Sequence, residues 1–119
     1  MGTSLQGPAS PSADEFRYRR HDVGAGVVRL AVSGKLDSVA ADTLDQALRS
    51  VCDDTITVLD LDELTFIDSI GVRTLSAAAA RAGALGRRLV AVNGRPEVEQ
   101  LLTQMGVDRA LKLVQRPSP

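Results

Sequence analysis

Residues 57–75 read TVLDLDELTFIDSIGVRTL, and the join inside that stretch decides the fold. Upstream, "TITVLDL" at 55–61 is a short β-branched run, the composition of a strand buried on both faces. Downstream, the alanines at 77–80 sit in a segment that reads as a helix from 69 to about 84, with a small face that packs close to a sheet. Strand therefore passes to helix at Asp68, Ser69 and Gly71. Either Asp68 or Ser69 can cap that helix, a side-chain oxygen accepting from first-turn N–H groups at ~1 kcal/mol. Glycine is harder to account for, because it costs a helix roughly 0.5–1 kcal/mol relative to alanine. Gly71 implies that something approaches the backbone closely there.

Outward from the join, strand and helix patterns alternate. "FRYRRHDV" at 16–23 sets Phe16 and Tyr18 two apart with charges between them, as on an edge strand. "AGVVRLAVSG" at 25–34 reads as a second strand, and a short turn around Gly24 joins the two as an antiparallel hairpin. Leu44, Ala47, Leu48 and Val51 form the stripe of an amphipathic helix. "RLVAVN" at 88–93 is another buried strand. "PEVEQLLTQMG" is a helix opened by Pro96 and stopped at Gly106, with Val98, Leu101, Leu102 and Met105 on one face. "ALKLV" at 110–114 reads as a last short strand. The Gly, Ser and Pro-rich residues 1–13 predict a flexible leader and "RPSP" at 116–119 a loose tail, leaving one domain over 14–115.

That order predicts an α/β fold: a mostly parallel sheet of four to five strands, an N-terminal antiparallel hairpin, and helices packed on the sheet through right-handed crossovers. Parallel strands all end on one edge, where sites usually form. Three loops are expected to gather there, "GKLDS", "TFIDSIG" and "NGRP", bringing Asp37, Ser38, Asp68, Ser69, Asn93 and Arg95.

Composition narrows the functions. The 119 residues suffice for one domain; they are 44% hydrophobic but only 3% aromatic, so the core is aliphatic. Fourteen basic and 15 acidic residues leave a formal charge of −1, which favours neither nucleic acid nor an anionic membrane surface as partner. No apolar run approaches the ~20 residues of a membrane span, and the first residues lack the layout of a signal peptide. A single cysteine, Cys52, excludes an internal disulfide and a cysteine-built metal site. The expectation is a soluble cytoplasmic domain.

Enzyme chemistry fits the join poorly. An esterase-type nucleophile needs G-x-S-x-G, but Ile67 stands where the first glycine belongs. The lone histidine, His21, lies in the hairpin and reads as a solvated surface residue. Asp60, Asp62, Glu63 and Asp68 lack the spacing of a calcium loop and read as solvated carboxylates; no phosphate-cradling glycine motif occurs. Neither metal nor cofactor is expected. A phosphate carried on Ser69, by contrast, would lie beside free N–H groups at the positive end of a helix dipole. Capping and phosphorylation are compatible roles at this junction.

Four segments in order and spacing, "VVRLAVSGKLDS", "TVLDLDELTFIDSIGVRTL", "LVAVNGRPEVEQLL" and "MGVDRALKLV", resemble the STAS domain of bacterial anti-sigma factor antagonists over residues 16–114. The strand followed by D-S-x-G is the most specific part, supported by G-x-L-D, by "VN" and by "MGVD". The resemblance implies a non-enzymatic switch. Unphosphorylated, such a protein binds an anti-sigma factor that is also a serine kinase of the histidine-kinase-like ATPase type, and so frees the sigma factor. The kinase phosphorylates the serine of D-S-x-G, here Ser69, and a serine phosphatase reverses it. Asp37, Ser38, Asp68, Ser69, Ile70, Gly71, Val72, Asn93 and Arg95 are the implied partner-binding positions. The chain departs from many relatives in three places: Ile70 replaces a second hydroxyl residue, Ser38-Val39-Ala40 lacks a threonine, and Arg95 replaces a small capping residue. An alternative within the same resemblance is a scaffold or accessory subunit of another signalling or transport complex, its serine never phosphorylated. Hydrolysis at Ser69 is the reading from another class.

Overall fold

A computed structural model describes residues 15–51, 56–107 and 111–114; the expected leader, the expected tail and Cys52 lie outside the described residues. The elements run β1 (Arg17–Gly24), β2 (Val27–Leu36), α1 (Ser38–Ser50), β3 (Ile56–Ile67), α2 (Ser69–Ala84), β4 (Arg88–Val92), α3 (Pro96–Gln104) and β5 (Lys112–Val114). The sheet order is β1-β2-β3-β4-β5, the same as the chain order. β1 pairs antiparallel with β2 through the two-residue turn Ala25-Gly26, both at positive φ (55° and 77°), the geometry whose twist matches flanking strands. Every later pairing is parallel. The α/β architecture expected above is present, with five strands among the described residues.

One-directional strand order has a consequence that composition hides. Right-handed crossovers between successive neighbours place every helix on the same face of the sheet. Buried aliphatic positions accordingly alternate along each strand, Val28, Leu30, Val32 and Leu36 on β2 and Leu89 and Ala91 on β4; on β3 Leu59 and Leu61 are followed by Leu64 and Ile67, where the register shifts against β2 reset the alternation. They meet Leu44 and Leu48 of α1, Val72 and Leu75 of α2, and Val98 and Leu102 of α3 in one core. The opposite face of "TITVLDL" is therefore not sealed as expected: Ile56 and Val58 remain partly exposed.

At the centre of that second face stands a buried carboxylate, Asp60. It is ion-paired with Arg29 of β2, accepts the Asp62 N–H at 3.0 Å, and lies 3.4 Å from the Asn93 amide. A buried acid is tolerated because each oxygen has a donor. Sequence reading placed Asp60 in solvent; in the structure it ties three strands together. Two boundaries also differ from expectation. α1 begins at Ser38, six residues before the Leu44 stripe, and β3 runs to Ile67, six residues past "TITVLDL". The extension pairs with the second half of β2 after two register shifts, with Gly34 (φ 85°) beside the second.

α1 and α2 are joined by charge as well as by packing. Asp45 pairs with Arg49 one turn on, at 2.9 Å, and with Arg81 of α2 at 3.1 Å. The hydrogen bond from Arg49, with the charge of both arginines, holds the Asp45 carboxyl below its usual value despite partial burial. A lowered folded pKa stabilises above the unfolded value of about 3.8 and stops doing so as pH falls through the folded value. Asp45→Asn is expected to cost ~0.5–1 kcal/mol at pH 7 and to flatten the loss of stability between pH 5 and pH 3. Urea unfolding at a series of pH values measures both; parallel curves for the two proteins contradict the account.

Removing either side of the Asp60 pair tests the other face. Arg29→Ala leaves a buried carboxylate without its cation, and is expected to cost ~2–3 kcal/mol, reduced from the full buried-pair figure because the Arg29 side chain is 45% exposed. Asp60→Asn keeps an acceptor for Asp62 and buries no charge, so ~1 kcal/mol is expected. The reverse order in chemical denaturation would contradict the buried ion pair.

Candidate functional site

The join quoted at the outset lies where β2 and β3 end side by side. Leu36 pairs with Ile67, so the next residues, Asp37-Ser38 and Asp68-Ser69, leave the sheet together and each opens a helix. Asp37 caps α1, its Oδ1 accepting from the Val39 and Ala40 N–H groups at 3.0 and 3.1 Å. Asp68 caps α2 in the same way, accepting the Gly71 N–H at 2.9 Å. The ambiguity over which residue caps is thus resolved in favour of Asp68. Ser69 is the first helical residue, exposed, and its hydroxyl makes no hydrogen bond among the described residues. The Ser69 and Ile70 amides likewise have no protein acceptor among the described residues, so a further acceptor attached to Ser69 has donors beside it.

Gly71 now has a physical cause. The Asp68 N–H donates to the Leu36 carbonyl at 3.2 Å, and a Cβ on Gly71 would stand 2.6 Å from that same oxygen. The close approach inferred from sequence exists, and the approaching group is the chain's own β2. Gly71 and Val72 are buried beneath the site, whereas Ser38, Ser69 and Ile70 are exposed on it.

The third loop does not join the other two. β4 ends opposite Asp60, and Asn93 follows at positive φ (61°). Arg95 lies near Asp62, its Nε 3.4 Å from the Asp62 carbonyl. From Asp62 to the Asp68 cap the chain runs up the end of β3 that pairs with β2 and that β4 does not reach, roughly 13–16 Å at ~3.3 Å per residue allowing for the bulge. Asn93 and Arg95 therefore sit lower on the sheet, apart from Ser69. Arg95 occupies the N-cap of α3 without a side-chain cap hydrogen bond, and Pro96 follows it.

Sequence reading passes over two of the three large apolar side chains exposed at this end, Val39 and Phe66. Val39 (84% exposed), Phe66 (45%) and Ile70 (41%) put large apolar side chains within two residues of the two caps. Ile70 had been singled out; Val39 and Phe66 had not. Their signal was apolar character at positions where the stripe of α1 and the alternation of β3 point outward. Arg73, exposed and without an ion pair among the described residues, lies one turn on from Ser69 on the same helix face. The i, i+4 spacing from Ser69 was the available clue.

The STAS domain family model matches residues 19–117, and the chain belongs to that family. Its similarity is to the anti-sigma factor antagonists. Anti-sigma-F factor antagonist RsfB of Mycobacterium tuberculosis is 29% identical over 90 residues, 74% of this chain and 73% of RsfB. The crystal structure of an anti-sigma factor antagonist from Mycobacterium paratuberculosis superposes with a TM-score of 0.76 at 27% identity, covering 86% of this chain and 87% of that one. The phosphorylated form of the Bacillus cell fate determinant SpoIIAA shares the fold, with a TM-score of 0.66 at 18% identity over 82% of this chain and 91% of that one. Among the described residues no helix is long and apolar enough to cross a membrane, and no group of three or more His, Cys, Asp or Glu is placed to hold a metal ion.

The Leu36–Gly71 contact yields a test of the site's construction. Gly71→Ala must push apart two backbones and is expected to cost ~1–3 kcal/mol. Ser69→Ala removes an uncommitted surface hydroxyl and is expected to change stability by less than ~0.5 kcal/mol. Equal effects of the two in thermal or urea unfolding would refute the close approach.

Proposed function

We propose that this protein is an anti-sigma factor antagonist regulated by phosphorylation at Ser69. Unphosphorylated, it binds an anti-sigma factor serine kinase of the histidine-kinase-like ATPase type and releases the sigma factor. Transfer of the ATP γ-phosphoryl group to the Ser69 Oγ, with loss of the hydroxyl proton and release of ADP, ends the complex, and a serine phosphatase resets it. The observation that carries the reading is the division of labour at the α2 N-terminus: Asp68 takes the capping duty, which leaves the Ser69 hydroxyl exposed and uncommitted. The relatives support the anti-sigma partner, and the phosphorylated SpoIIAA structure supports a phosphate on this fold.

The mechanism follows from the surface around Ser69. Val39, Phe66 and Ile70 offer an apolar docking patch ringed by Ser38, Asp37 and Asp68. A phosphoserine brings about −1.5 to −2 charges into that patch, which must be desolvated on docking and meet the two cap carboxylates. The free first-turn amides and Arg73, one turn on, stabilise the phosphate within the free protein. Both effects disfavour the complex, and every 1.4 kcal/mol weakens binding tenfold. No refolding is needed.

Incubation with a histidine-kinase-like anti-sigma factor and ATP should add one phosphate to the protein and none to Ser69→Ala. Ser69→Ala should bind that kinase as the unmodified protein does, while Ser69→Asp binds at least tenfold more weakly. Label retained in Ser69→Ala would move the acceptor elsewhere. Equal binding by Ser69→Ala and Ser69→Asp would remove the switch and favour a scaffold role.

A further inference from the structure

The end of the domain remote from Ser69 holds a second feature that the switch leaves unused. A cleft of about 240 Å³ opens where α1 and α2 end and where β3 and β4 begin. Its floor is mostly apolar, formed by the buried residues Leu48, Val51, Ala78 and Leu89, with the buried Thr57 among them. Leu85, just past the end of α2, lines it as well and is 60% exposed, which extends the apolar lining to the cleft's edge. The remaining wall is charged in one sense. Arg49, Arg81, Arg87 and Arg88 all line the cleft. Asp45 answers Arg49 and Arg81, holding both in place, while Arg87 and Arg88 have no carboxylate partner among the described residues. The C-terminal ends of α1 and α2 supply only about half a negative charge each, so the described residues leave the mouth positive.

An apolar floor beneath guanidinium groups discriminates among ligands. A small inorganic anion would satisfy the arginines and leave the floor wetted. A neutral or cationic amphiphile would fill the floor and strip water from guanidinium groups without replacing it, which is costly. An anionic amphiphile satisfies both, its chain on Leu48, Val51 and Leu89 and its carboxylate held by charge-assisted hydrogen bonds from Arg87 and Arg88. The volume, about eight waters at ~30 Å³ each, admits a medium-length acyl chain and not a whole phospholipid. We propose that this cleft is a binding site for a medium-chain acyl carboxylate. The site is separate from Ser69, although α2 runs from one to the other, carrying Ser69 at its start and Ala78 and Arg81 near its end.

The test is a titration of the intact chain with decanoate below its micellar concentration, followed by methyl and amide NMR. Decyltrimethylammonium and inorganic phosphate serve as the matched cation and the chain-free anion. Decanoate is expected to bind saturably, with shifts centred on the methyl groups of Leu48, Val51, Leu85 and Leu89. Decyltrimethylammonium should bind at least tenfold more weakly, and phosphate should leave those methyl groups unmoved. The double variant Arg87→Glu/Arg88→Glu, whose changes lie at the cleft mouth, should keep the spectrum of the folded chain and lose at least tenfold in decanoate affinity. Equal binding of the two amphiphiles, shifts scattered away from the cleft, the same methyl shifts with phosphate alone, or undiminished binding by the charge-reversed variant would each overturn the proposal.

Discussion

The carbonyl of Leu36 accepts the Asp68 N–H, and the absence of a side chain at Gly71 lets the first turn of α2 settle against it. This contact sets the separation of two loops that would otherwise be independent. Because Leu36 and Ile67 are paired neighbours, the Asp37 and Asp68 caps follow at the same level, and α1 and α2 start side by side. The exposed surface of Ser38, Val39, Ser69 and Ile70 is a product of that spacing. A side chain at Gly71 would tilt α2 and carry Ser69 with it.

The one-directional strand order shapes the rest. With all the described helices on one face, the core is a single aliphatic layer between them and the sheet. No helix among the described residues covers the second face, and its centre is held by polar contacts: Asp60 links Arg29, the Asp62 amide and Asn93 across β2, β3 and the end of β4. A carboxylate is suited to that place because several donors reach it from different strands.

Charge is distributed along the long axis of α2. At its N-terminus the flanking carboxylates, Asp37 and Asp68, serve as caps and leave amides and a hydroxyl available. Toward its C-terminus arginines gather around an apolar cleft, two of them tethered by Asp45. A balanced net charge conceals this polarity. The acidic and apolar end suits a protein partner that is sensitive to added negative charge; the arginine-lined end suits an anion.

What was legible in the residues was what local pattern encodes. The strand-to-helix join at Ser69, the hairpin around Gly24 and the start of α3 at Pro96 rest on capping, turn and proline chemistry acting within a few residues. The Asp68 cap inside the D-S-x-G junction is local in the same sense. Three features were settled only by pairing between distant segments. The extension of β3 to Ile67 depends on the bulged register with β2, and it is this extension that separates Asn93 and Arg95 from Ser69. The open second face depends on strand order, and the role of Asp60 depends on Arg29, 31 residues away in the chain. Periodicity reports which face of an element is apolar, so it determined the elements and the motif; register, and what lies opposite each face, are long-range quantities that only the folded sheet decided.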